Sequence, residues 1–317
     1  MDEPRLFHIG SAVIDFIYRV ERLPLPGDDL LASSFSALPG GGFNMLLAAR
    51  RSGMASAYAG RIGTGPAGAM LEAAFRAEDI ACVQDRVPGH DTGTCIVLVT
   101  PDGERTFVSH QGAEALVSFA GLEAIPARTG DWFFTSGYTL VYPQSRDAQA
   151  AFITGLPGRF NFMLDPTGVV AEIPRPVLDP VLARADWLTL NRSEARAIAG
   201  EGDASVLAAR LLSDFCPRAK GVILRCGAEG ALLALRNSKQ LFVPAFEVET
   251  VDTNGAGDVH AGAFVAALAH GRDPAGALLY ANAAAAISTM RHGGSVAPTR
   301  EDVEEFLKVP GKASANQ

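Results

Sequence analysis

Apolar residues fall along this chain in two rhythms: short runs of strand length, and intervening segments whose apolar positions repeat at helical spacing. Leu6–Gly10 predicts a buried first strand, while Ile14–Val20 and Leu30–Leu38 alternate as in a sheet with one open face. A strand at Ala55–Ile62 leads into a helix at Ala67–Ala77. Ile96–Thr100 and Arg105–Ser109 flank Pro101-Asp102-Gly103-Glu104, whose turn residues predict a hairpin. From residue 131 the rhythm becomes regular. Trp132–Ser136, Phe160–Leu164, Trp187–Leu190 and Gly221–Arg225 read as strands separated by helical patterns, the signature of βαβ units and a parallel sheet. Gly230–Leu235 and Gln240–Pro244 predict an edge hairpin, and Phe242–Val251 stays strand-like. Helices follow at Val259–His270, Pro274–Arg291 and Thr299–Lys308, with Ala281–Ala286 as a close-packed helix face.

The elements predict an α/β fold: a doubly wound, mostly parallel sheet with helices on both faces, plus a small β-sheet lid. Residues 1–11, 39–90 and 111–309 would form the core, 12–38 and 91–110 the lid, and 310–317 a disordered tail. A chain of 317 residues buries enough surface to need neither disulfide nor metal. Net charge of −8 argues against nucleic acid or an anionic membrane as partner, and no apolar run reaches membrane-spanning length. Cys82, Cys95, Cys216 and Cys226 form no C-x-x-C pair and read as buried thiols of a reducing compartment. Met1-Asp2-Glu3-Pro4 lacks the basic start of a signal peptide, so a cytoplasmic location is expected.

Four clusters carry candidate chemistry. Asp252-Thr253-Asn254-Gly255-Ala256-Gly257-Asp258 is a glycine-rich turn opening a helix, where free N–H groups and the helix dipole favour an anion. Asp258 beside such a cradle suggests phosphoryl transfer, the carboxylate taking a proton from an attacking hydroxyl. A tight turn with no ligand is the bland alternative. Pro39-Gly40-Gly41-Gly42-Phe43-Asn44 lets backbone approach a ligand, and Asn44 offers donor and acceptor; a turn capped by Asn44 explains it equally well. Asp15, just past the first strand, lies where α/β sheets bind ligands, though an isolated loop Asp is commonly only solvated. Asn191 and Glu194 are spaced as a capping box; alternatively Glu194 stands near a hydrated Mg²⁺.

Together these clusters resemble the ribokinase-like sugar kinases, the phosphofructokinase B family, from Gly10 to about Leu307. Asp252–Asp258 fits that family's Asp-Thr-x-Gly-Ala-Gly-Asp signature in full, and Gly40, Gly41, Gly42, Asn44, Gly53 and Gly63 fit its upstream one, with Leu46 departing from the usual small residue. The resemblance implies Asp258 as catalytic base and the Gly255, Ala256 and Gly257 amides as the anion hole. It implies that Asp15, Gly41, Gly42 and Asn44 bind the sugar, and that Asn191 and Glu194 act near Mg²⁺ and ATP, Glu194 holding Mg²⁺ through water. Arg225, Gly227 and Gly230 match the nucleotide loop, Asn282 the adenine-side helix, and Asp252 with backbone near Asn254 and Gly294 could hold K⁺. Val13 stands where ribokinases carry Asn, and Asp165-Pro166-Thr167-Gly168-Val169 lacks the Asn and Arg of an Asp-x-Asn-x-Arg run. An acidic substrate would need a local cation, for which Arg105 is the candidate. The expected function is ATP-dependent phosphorylation of a hydroxymethyl group on a sugar-like small molecule, with a nucleoside kinase of the same fold as alternative. Pairing of two lids into a homodimer is expected too.

Gly63-Thr64-Gly65-Pro66-Ala67-Gly68 supplies a rival from another class, an NAD-dependent oxidoreductase with Asp85 on the ribose. That reading leaves Asp252–Asp258 unexplained. A Walker loop and a zinc set are absent from the sequence, and His260 reads as a packed helix histidine. A catalytically silent sugar-binding protein would not need Asp258.

Overall fold

The computed structural model describes residues 3–291, 293 and 296–309; the Gly294 and tail expectations lie outside them. The strands are β1 (Leu6–His8), β2 (Ala12–Arg19), β3 (Ser34–Gly41), β4 (Ser56–Tyr58), β5 (Ala81–Cys82), β6 (Thr94–Val99) and β7 (Arg105–His110). Then come β8 (Trp132–Ser136), β9 (Asn161–Asp165), β10 (Trp187–Asn191), β11 (Gly221–Arg225), β12 (Gly230–Leu235) and β13 (Leu241–Pro244). Nine of them form one sheet in the order β13-β12-β11-β10-β9-β8-β1-β4-β5, parallel except where β12 and β13 join as the expected edge hairpin. The other four form a small sheet, β3-β2-β6-β7.

Alternation along the strands explains why helices cover both faces of the large sheet. Leu6, Phe134, Met163 and Ile223 point to one face and pack beneath the helices Gly42–Arg51, Ala256–Ala269 and Pro274–Thr289. Phe7, Phe133, Phe162 and Leu224 point the other way, towards Arg146–Gly155 and Arg175–Arg184. Each such buried side chain stabilises by about 1.5–3 kcal/mol, so the centre of the sheet is its firmest part. The helix Ala256–Ala269 is apolar all round and is buried from Val259 to Ala267, as a helix without a polar face must be. The small sheet packs Cys95, Val97 and Val99 with Val13 and Ile17, and leaves Ile96 and Val108 exposed.

Two expectations need correction. The strand expected at Leu30–Leu38 runs instead from Ser34 to Gly41, with the helix beginning at Gly42, because β2 pairs with β3 along its whole length up to Ala12 opposite Gly41. The strand expected to reach Val251 stops at Pro244. Its backbone then leaves the ladder, and Val251 and Asp252 donate to Thr289 O instead.

The chain moves from β1 outward through β4 and β5, then crosses to β8 and proceeds the other way through β9, β10 and β11. Strand order therefore reverses between β1 and β8. A crevice opens there, outside the carboxyl ends of the strands.

Candidate active site

A cavity of about 240 Å³ fills that crevice. Ser11 follows β1, Ser136 ends β8, Tyr138 and Tyr142 follow it, and Thr167 follows β9. Val13 and Asp15 come from β2, and Thr94, Cys95, Phe107, Ser109 and His110 from the hairpin β6–β7, so the small sheet roofs the cavity. Gly41, Gly42, Asn44, Asn254 and Asp258 complete it. The glycines are there because space is short. A Cβ on Gly40 would lie 2.2 Å from the Asp15 carboxylate, and one on Gly42 would lie 2.4 Å from the His8 ring.

Burial alone pushes the Asp15 carboxyl up to about 7, with no donor offsetting it. Asn44 is 2% exposed and its Oδ1 has no partner; the Ser136 and Thr167 hydroxyls are likewise buried without one. Buried polar atoms are expensive unless bonded, so the cavity is shaped for a ligand rich in hydroxyls. Thr167 adopts φ +57°, a left-handed conformation that a β-branched residue rarely takes. The Asp165 carboxylate accepts its N–H at 3.0 Å and holds that turn.

Asp258 sits in the first turn of the helix Ala256–Ala269, opened by Gly255 at φ +73°. Its carboxyl is pushed up to about 7, first by burial and then by the negative charge of Asp165; Arg225 and a hydrogen bond from Asn44 pull the other way. Val259 N–H already bonds Gly255 O at 2.8 Å, and Ala256 N–H bonds Thr253 O at 3.3 Å. The Ala256 amide is thus partly engaged inside the turn. Among the described residues no backbone acceptor takes the Gly255, Gly257 or Asp258 N–H, which remain available to an anion.

A second cavity, about 290 Å³, opens on the other side of this helix start, lined by Asn191, Arg225, Gly227, Gly230, Ala256 and Gly257 with His260 and Ala285. Arg225 packs against Gly257, donates to Asp165 at 2.7 Å and Thr189 at 3.0 Å, and lies 3.5 Å from Glu194. Asn191 and Glu194 form a complete capping box. Glu194 is nonetheless pushed up to about 7, by burial and then by Asp165. One guanidinium serving Asp165 and Glu194 leaves an excess of buried negative charge, an environment suited to a divalent cation.

Some expected residues stand elsewhere. Asn282 spends its carboxamide on Val243 O and Pro244 O and on His260 Nε2, so it ties two elements together and does not line the second cavity. Asn254 lines the first cavity, not the second. Arg105 is outside both: it forms a salt bridge with Asp252 and donates to Thr253 Oγ1 at 3.2 Å. Asp252 also accepts from Asn254 N–H at 2.9 Å and Gly293 N–H at 3.2 Å, so among the described residues its oxygens face donors. Sequence reasoning missed Ser136, Tyr138, Tyr142, Thr167 and His110. Only their positions after strand ends could have marked them. The rival glycine motif fails on geometry: Asp91 accepts from Gly68 N–H at 2.8 Å and Ala67 N–H at 3.2 Å, so the chain's own carboxylate fills that helix start.

The profile of the pfkB family carbohydrate kinases matches residues 3–300. The chain belongs to that family. As a pfkB carbohydrate kinase it is 33% identical to an uncharacterized sugar kinase of Escherichia coli, YegV, over 93% of this chain and 91% of that one. It is 29% identical to the ribokinase of Bacillus subtilis, over 94% and 98% of the two chains. The crystal structure of ribokinase from Thermotoga maritima superimposes with a TM-score of 0.82 at 26% identity, covering 96% of this chain and all of that one. This chain shares the ribokinase-like fold, a large mostly parallel sheet with a small separate lid, with that structure. No helix of this pfkB kinase among the described residues is long and apolar enough to cross a membrane.

Proposed function

We propose that this kinase transfers the γ-phosphoryl group of ATP to a hydroxymethyl group of an uncharged sugar or sugar-like polyol. The observation that carries this reading is the position of Asp258, which lines the hydroxyl-seeking cavity while its neighbours Ala256 and Gly257 line the other. Asp15 and Asn44 Oδ1 accept sugar hydroxyls and aim the reactive one at Asp258. Asp258 takes its proton, and the Gly255 and Gly257 amides with Arg225 steady the charge on the migrating group. Mg²⁺, held through water by Glu194, would neutralise phosphate charge. The lid keeps water, a competing nucleophile, out of the site.

The absence of charge on the substrate follows from the lining. Asp15 and Asp258 are carboxylates, and among the described residues no Lys or Arg lines this cavity. Arg105, the candidate partner for an acidic substrate, is committed to Asp252. Exposed Phe35, Ile96 and Val108, which share the outer face of the lid, support a homodimer formed by two lids.

The test is a panel of aldoses, ketoses, deoxy-keto acids, glycated amino acids and nucleosides with ATP and Mg²⁺, read as ADP release. Uncharged polyols should react and acidic compounds should not. Turnover confined to acids would overturn the substrate class. Nucleosides are included because Phe107, Tyr138 and Tyr142 could stack on a base.

A further inference from the structure

Arg105 begins β7 at the hairpin end of the lid, opposite Val99. Its guanidinium leaves the lid and reaches a segment 147 residues away, pairing with Asp252 and bonding Thr253. The two charged side chains are only 19% and 11% exposed, so this is no ordinary surface ion pair. Asp252 in turn accepts the Asn254 and Gly293 N–H groups, while the Val251 and Asp252 N–H groups bond Thr289 O at 2.7 and 3.0 Å. Asp252 thus joins the lid and the segment that enters Gly255 through its carboxylate, and the end of the helix Pro274–Thr289 through its backbone N–H. A monovalent cation here would want oxygen acceptors. Asp252 presents oxygens already claimed by three donors, one of them permanently charged.

We propose that Arg105 is a built-in cation: it neutralises Asp252, holds the lid hairpin on the 252–254 segment, and thereby sets the amides of the anion hole, so that this kinase works without K⁺. The inference rests on the kinase reading. Arg105 touches neither cavity and is a positioning residue; its loss should fall on kcat more than on the KM for the sugar. The same contact couples the closed lid to a formed anion hole, since the hairpin cannot lift without releasing Asp252.

The test compares wild type, Arg105→Ala and Arg105→Lys in potassium chloride and in choline chloride at matched ionic strength, measuring kcat, KM and melting temperature. Wild type should show the same kcat and the same melting temperature in both salts. Arg105→Ala should lose about tenfold or more in kcat, the scale expected when reacting groups are misplaced. Added guanidinium should restore part of that loss, and Arg105→Lys should keep more kcat than Arg105→Ala. Activation of wild type by K⁺ over choline would overturn the proposal, as would an unchanged kcat in Arg105→Ala or a loss that guanidinium does not repair. If no polyol yields ADP in either salt, the kinase reading has failed; a K⁺-dependent rise in wild-type melting temperature would then still reveal an ion site and refute the built-in cation.

Discussion

The helices Pro66–Ala77 and Ala256–Ala269 both open on glycine-rich turns, yet of this pair the second alone is a candidate anion site. At the helix Pro66–Ala77 the Asp91 carboxylate already accepts the Ala67 and Gly68 amides. At Ala256–Ala269 the Gly255, Gly257 and Asp258 amides keep no backbone partner among the described residues, and cavities lie on both sides. Sequence alone makes the two starts look alike. What separates them is whether another part of the fold delivers an acceptor: Asp91 arrives from 23 residues downstream of Gly68, whereas the nearest described side chain at Gly257 is the Arg225 guanidinium, a donor. A glycine turn is an anion site only if the fold leaves it open.

The largest effect should come from the open helix. Asp258→Asn should lower kcat by at least about a hundredfold with ATP affinity preserved, measured by steady-state kinetics and calorimetry; equal turnover would erase the distinction between the two helices. Next is pH. The proposed base role requires an ionised Asp258, whose carboxyl is pushed up to about 7, so kcat/KM should fall about tenfold per unit below that pH and level off above it. Stability moves in the opposite sense. The folded state holds that proton more tightly than the unfolded chain, so the protein loses stability as pH rises from about 4 to about 7. Asp258→Asn escapes that loss and should melt above wild type at pH 8; a lower melting temperature would show the charge is not buried at a cost.

The closed helix should behave as a purely structural feature. Asp91→Ala should cost about 1–2 kcal/mol in urea unfolding, as loss of a cap does, with kcat kept. A specific loss of ATP binding would break the comparison. The smallest effect concerns Thr167, strained beside the open site. Thr167→Asn, which tolerates φ +57° better, should gain about 1 kcal/mol while weakening apparent sugar affinity. A gain in both would mean that the Thr167 hydroxyl does not serve the ligand.

The strands and helices were legible because their apolar periods are strong: Trp132–Ser136 and Gly221–Arg225 stand where the pattern put them. Asp15, Asn44 and Asp258 were also legible, through spacing near strand ends and glycines, and they line one cavity. Arg105 was not. A hairpin arginine reads as solvated, and its partner Asp252 is set by tertiary packing that no local pattern encodes. Asn282 misled for the same reason, since its carboxamide serves the backbone at the end of β13. The strand β3 is expected to end at Leu38 because glycine weakens strands, yet pairing with β2 carries it through Gly40 and Gly41. Ser136 and Thr167 carry no signal beyond following a strand.

The helix Ala256–Ala269 packs on Gly42–Arg51 and closes one face of the large sheet. During synthesis, about the first 250 residues can emerge and pair their strands before that helix exists. Such a nascent chain carries Asp15 and Asn44 but neither Asp258 nor the proposed phosphate cradle, and it shows water the flank where Leu6, Phe134, Met163 and Ile223 lie. The last fifth of this sequence therefore performs two tasks in one event. It conceals the stickiest surface of the intermediate, and it switches the enzyme on.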